Sequence, residues 1–323
     1  MSRPARLSTQ SELDALCVSS GQRMQDALEG GATGGVLETY STIEDTWRGF
    51  TGNLEDWANL TLAYLIDFHG RPQPHAEFRL ERVATLAVRR GIETEQLALT
   101  RELLDAPEHS VRQRLRVALK TGDPGAALNA WRLADRLMRD AVTLRCENVN
   151  DVLGYVYREH GAEALEAAMR YAADRGFWRD ALPAQLLKDP MDRVREISLF
   201  LAAGASCRLR ITEDDDRFVI EKVDCHCGRL VIDHRANGWP MEIIEGPSPM
   251  TYGQEAMTPF QAHFAVIHGM WAIDVTGVPI NPFECIGTRV GIEGHCRFFI
   301  YKSRVPDRFY EQLGYDRTPS PSA

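Results

Sequence analysis

The feature that most constrains this chain is a change of hydrophobic period near residue 205. Before it, apolar residues recur every three or four positions. After it, they alternate. A period of 3.6 places apolar residues on one helix face, and a period of two places them on one strand face. Segments such as "SELDALCVSSGQRMQDALEG", "LERVATLAVRRG", "TEQLALTRELLD", "VRQRLRVALKTG", "AALNAWRLADRLMRDAVTLR" and "EALEAAMRYAADRG" read as helices. Several end in Gly with basic residues in the last turn, and Pro marks the junctions.

Beyond residue 205, "CRLRIT", the polar turn "EDDD" and "RFVIEKV" predict a hairpin, and "GRLVIDH" reads as a continuing strand. "NGWPMEIIEGPSPMTYG" predicts a surface loop. "TPFQAHFAVIHGMWAIDV" predicts a helix with Thr258 as N-cap and Pro259 at its first position. "PFECIGTRV" and "HCRFFIYKS" read as strands and "VPDRFYEQLG" as a short helix. The expected class is α+β: a helical domain over 1–205, a smaller antiparallel α+β domain over 206–315, and a frayed tail over 316–323. Within the helical part, "NLTLAYLIDFHG" (59–70) echoes "NVNDVLGYVYREHG" (148–161) at an offset of 91 residues. The echo fits either a duplicated unit or the shared preference of His and Gly for helix ends.

Charge and composition narrow the function. A net charge of −9, with Lys and Arg interleaved among acids, lacks the dense cationic face that nucleic acid requires. Nor does this mild acidic excess imply a cationic substrate. No apolar run of about 18 residues and no secretory h-region is present, so the expectation is a cytoplasmic protein with no membrane partner. No dinucleotide fingerprint or Walker loop occurs, and "GGATGG" reads as a turn. The helical half also lacks the Glu-x-x-His steps of a di-iron bundle, so Asp135, Asp140, Glu147 and His160 read as surface groups.

Seven cysteines make an odd count, which disfavours a disulfide framework, and four of them follow residue 220. On a strand, Cys225 and Cys227 face one side and His226 the other. Two thiolates on one face suit a soft metal such as zinc, or they pack as buried thiols. Further ligands would come from His263, Cys285 or Cys296. His263 and His268 are five residues apart, about 140° around an α-helix, so one of them at most joins the site. His226 and Glu242 are the acid–base candidates, with Asp233, His234 and Glu245 also flanking the Gly/Pro loop.

Over roughly residues 125–315, "ITEDDDRFVIEKVDCHCGRL", "FQAHFAVIHGMWAIDVTGVPI" and "HCRFFIYKSRVPDRFYEQLG" resemble a bacterial family without a settled function. In that family an acidic turn and strand lead into Pro-Cys-Gly-x-Gly-Gly-Arg-Leu. A Tyr-Cys-x-His-Cys element follows, and then a last Cys before an aromatic strand. Cys225, Gly228, Arg229, Leu230, Phe260, His263 and Cys296 match its positions, whereas Gln261 and Phe264 stand where the family has cysteines. The closing Gly-His-Cys strand is also similar to that of 2-amino-thiazoline-4-carboxylate hydrolases. The resemblance implies a thiolate-rich zinc site, here Cys225, Cys227, His263 and Cys296 or a water. The expectation is a zinc-dependent hydrolase or lyase of small-molecule metabolism or natural-product biosynthesis, a homodimer being compatible. The alternative is a non-enzymatic ligand- or metal-binding protein with a structural zinc.

Overall fold

The computed structural model describes residues 6–70, 110–224, 226–286 and 295–316. For 224, 226–229, 285, 286 and 295 it describes the backbone only. The expected helices within 80–105 and the tail lie outside the described residues. The chain is α+β, with the helical elements first and the sheet after them. The helical part comprises α1 (Gln10–Leu16), α2 (Ser20–Glu29), α3 (Thr33–His69), α4 (Val111–Lys120), α5 (Pro124–Arg175), α6 (Trp178–Gln185) and α7 (Pro190–Leu199). A π-helical turn, Phe200–Gly204, continues α7.

Two separate helices stand where one was expected at the amino end, because Thr9 and Ser19 each cap a new start. Thr9 and Glu12 form a reciprocal capping box, and Ser19 Oγ accepts from the Gln22 N–H. The α3 and α5 helices form the spine and run parallel. Tyr40 meets Trp131 edge-to-face, the Trp47 indole N–H donates to the Met138 carbonyl at 3.0 Å, and His69 stacks on His160 at 4.0 Å between ring centroids. Each pair is separated by the offset of the sequence echo, so that echo is also the packing register. At Gly161, φ is 85°, and α5 breaks there before continuing to Arg175.

The sheet follows as β1 (Arg208–Glu213), β2 (Arg217–Asp224), β5 (Phe283–Ile286) and β6 (His295–Tyr301), antiparallel in the order β1-β2-β6-β5. Ile220, Phe298 and Phe283 form one row across it, and Lys222, Cys296 and Cys285 the next. A small pair, β3 (Ile244–Glu245) and β4 (Ala256–Met257), lies in the Gly/Pro loop. A helix over 263–276 (α9) has a π-helical middle, Val266–Trp271. Regular helix begins later than expected there, although Thr258 Oγ1 does accept from the Gln261 N–H at 3.2 Å. The last described helix is α10 (Arg308–Gln312).

One element departs from the sequence reading. "GRLVIDH" is not a strand: β2 stops at Asp224, and α8 (His226–Asn237) starts two residues later. Burial gives the reason. Leu230, Val231 and His234 are buried while Ile232 is 49 % exposed. A strand would bury Leu230 together with Ile232, whereas a helix buries positions three and four apart, here Val231 and Leu230 with His234.

Among the described residues, no helix is long and apolar enough to cross a membrane.

Candidate functional site: a cavity between helices and sheet

The inner face of the sheet and the helical part border a cavity of about 160 Å³. Its wall is mostly apolar and rich in aromatic rings, with Phe50 and Trp57 from α3, Trp178 from α6, Phe264 from α9 and Phe298 from β6. Both π-helical turns border it, through Phe200 and Leu201 in one and His268 in the other. Such widened turns recur at functional sites because they displace side chains from α-helical register. Close backbone approach sets the first of them: a Cβ on Gly204 would lie 2.8 Å from Phe50 Cβ.

The polar groups of this wall are few. Lys222, in phase with the inward Phe218 and Ile220 on β2, is 3 % exposed. Its ammonium lies 4.5 Å from the Phe264 ring centroid and 5.3 Å from that of Phe298. Ring faces offset part of the large cost of taking an ammonium out of water.

His263 and His268 both line the cavity, with ring centroids 5.6 Å apart. The expectation that they diverge is therefore wrong. It assumed α-helical rotation, whereas the π-helical turn bonds i to i+5 and brings the fifth residue back to the same side. His263 Nδ1 lies at bonding distance from the Phe260 carbonyl, and as its donor it leaves Nε2 unprotonated. Burial, reinforced by His268 and Lys222, lowers the His263 imidazole well below its usual range. Burial and then the Lys222 charge bring His268 down to about 4. Both rings are neutral at pH 7.

Two donors or acceptors on the same wall have no protein partner: the buried Trp57 Nε1 and His268 Nδ1. Buried polar atoms are normally satisfied, so these two mark places for a ligand atom or an ordered water. The thiols of Cys146 and Cys207 complete the polar lining, beside Asn53, Gln185 and Asn281.

Of the residues singled out in the sequence, the structure gathers few. His263 lies in the cavity wall. Cys296 is buried on β6 in register with Lys222. Cys225 falls outside the described residues, and His226 and Cys227 are described by backbone alone, in the first turn of α8. The strand alternation expected to separate His226 from Cys227 is therefore absent. Cys285 stands in register with Cys296. Glu242 is not in the cavity wall. It packs across Gly154 and pairs with the Arg158 guanidinium at 3.1 Å, in a half-exposed ion pair. Among the described residues no group of three or more His, Cys, Asp and Glu is placed to hold a metal ion.

The helical carboxylates also differ from expectation. Glu147 is buried, with Oε1 3.7 Å from His234 Nε2 where α8 packs on α5, and is no surface charge. His160 is half-buried against His69, and burial raises the Asp140 carboxyl. Asp135 pairs with Arg139.

Sequence reasoning missed Lys222 and the aromatic wall, and it admitted at most one of His263 and His268 to the site. For Lys222 the signal existed: a lysine in phase with Phe218 and Ile220 on an alternating strand must either face the core or break the pattern.

No protein-family model, curated protein or solved structure matches the chain.

Proposed function

We propose that the protein binds a compact, mainly aromatic small molecule in the cavity between the helical part and the sheet. The observation that carries this reading is an apolar cavity with a few convergent polar groups: Lys222, Trp57 Nε1 and the two neutral histidines. Ligand sites generally have this composition, an apolar wall for affinity and sparse donors for orientation. A dry apolar cavity of about 150 Å³ takes a benzene-sized molecule, which sets the scale of the occupant. Lys222 and Trp57 Nε1–H are donors, so the ligand carries an acceptor such as a carbonyl or hydroxyl oxygen.

Calorimetry tests this with acetophenone and ethylbenzene, two molecules of similar size that differ in one acceptor. Acetophenone should bind about tenfold more tightly than ethylbenzene, and Lys222→Met should remove most of the difference. Equal affinities, or no binding of either, would refute the reading.

A second reading retains an enzyme, a hydrolase or lyase. It is favoured by the unprotonated Nε2 of His263 at the wall of a cavity that also holds a buried ammonium. That placement suits proton transfer to or from a bound molecule. The accompanying zinc at Cys225, Cys227, His263 and Cys296 requires about one zinc per chain by elemental analysis. A metal-free protein that still binds acetophenone removes the zinc and leaves the binding role in place.

A further inference from the structure

A second cavity, of about 210 Å³, lies against Phe299 and Tyr301. These residues alternate with Phe298 on β6, so the two cavities adjoin opposite faces of that strand. Arg193 of α7 lines the second cavity and is itself only 9 % exposed. Its guanidinium makes one side-chain hydrogen bond, from Nη2 to Asn281 Oδ1 at 3.3 Å, and its buried Nε has no acceptor. Among the described residues no carboxylate stands in the wall. The other cation there, Arg304, is turned to Asp307 at the surface. Burial pulls the Arg193 guanidinium down to about 10, with no neighbouring anion among the described residues to oppose it.

A buried guanidinium without a counter-ion is costly, and proteins that retain one generally pair it with a carboxylate or phosphate. The rest of the wall is largely apolar, led by Pro279, Pro282, Val305 and Phe299, with Ser303 and Tyr301 as polar members and the Tyr310 hydroxyl already donating to the Gly277 carbonyl. That surface offers an anion's apolar body a place to pack and offers little to a fully hydrated ion.

We infer that this second cavity is a binding site for a small organic carboxylate, with Arg193 holding the carboxylate and the proline and Phe299 wall holding an apolar body. The site is separate from the aromatic cavity, although Asn281 in the wall of the first bonds Arg193 in the wall of the second. Its Oδ1 accepts from Arg193 and its Nδ2 donates to Gln185 Oε1 at 3.1 Å, in the wall of the first cavity.

The test titrates the full chain with benzoate, benzamide and inorganic phosphate, by calorimetry and by the ¹H–¹⁵N signal of the Arg193 Nε–H. That signal is assigned by its loss in Arg193→Lys. Benzoate should saturate one site and shift it. Benzamide and phosphate should bind at least tenfold more weakly, Arg193→Met should weaken benzoate at least tenfold, and Lys222→Met should leave it unchanged. Phosphate binding as tightly as benzoate would overturn the apolar-body claim. Benzoate binding that survives Arg193→Lys and Arg193→Met, or that is lost in Lys222→Met alone, would overturn the assignment to Arg193. The last result would move the anion to the first cavity and leave the reading of that cavity standing.

Discussion

Acidification from pH 7 to pH 5 should destabilise this protein through the two histidines of the aromatic cavity. In the folded chain burial and then the Lys222 charge hold His268 at about 4, and burial and its neighbours hold His263 well below its usual range. In the unfolded chain both titrate near 6.5. Below that value the unfolded state binds protons that the folded state refuses, so stability falls as pH falls and is level above about 6.5. For His268 the loss continues until the pH reaches its folded value of about 4. For His268 the loss is about 1.4 kcal/mol per pH unit inside the window, which gives about 2 kcal/mol at pH 5, and His263 adds to it in the same direction. Urea denaturation followed by tryptophan fluorescence at pH 7, 6 and 5 measures it. The His263→Gln/His268→Gln double variant supplies the control, since other histidines titrate in the same range. The double variant should lose at least about 2 kcal/mol less than the parent between pH 7 and pH 5. A parent and a double variant with equal pH slopes would refute the placement of neutral, water-poor imidazoles in this wall.

Removing the Lys222 charge with Lys222→Met should raise the His268 midpoint above about 4, as read from its C2–H proton signal. An unmoved midpoint would mean that the ammonium is not near the ring. Glu213 is drawn upward by burial, and this is outweighed by Lys302 at 2.7 Å, Ser8 and the Leu7 N–H, which bring it to about 2. Glu213→Gln leaves the buried Lys302 ammonium uncompensated and should cost about 3 kcal/mol in thermal or urea unfolding, where less than 1 kcal/mol would show the pair to be solvated. Gly204→Ala forces a Cβ to within 2.8 Å of Phe50 and should cost about 1–3 kcal/mol and weaken acetophenone binding. Unchanged stability would mean that α3 and the π-helical turn are not so closely packed.

Local patterns conveyed much of the fold, because helix and strand periods are properties of neighbouring residues. The β1–β2 hairpin, β6 and the helix at 308–312 follow from alternation, turn residues and capping. The helix at 226–237 did not, since its β-branched Val231 and Ile232 carry strand propensity. Only packing against α5 reveals that Val231 and His234 share the buried face while Ile232 lies outside. The candidate site was less legible still. Its wall joins Trp57, Trp178, Phe264 and Phe298 from separate elements, a convergence that no local period encodes. His263 was found by its residue type, whereas its partner His268 was set aside by an α-helical rotation that the π-helical turn cancels. Arg193 carried no sequence signal, because an arginine in a helix with Arg195 and Glu196 nearby reads as a solvated face.

The central claim is that the aromatic cavity receives a ligand, and locating one there tests it most directly. Crystals of the protein soaked with 4-bromoacetophenone, measured at the bromine absorption edge, should give one strong anomalous peak between Trp57 and Phe264, with the carbonyl oxygen towards Lys222 or Trp57 Nε1. A cavity without bromine signal in crystals whose ligand concentration saturates the protein in solution, or a peak confined to the surface, would contradict the account.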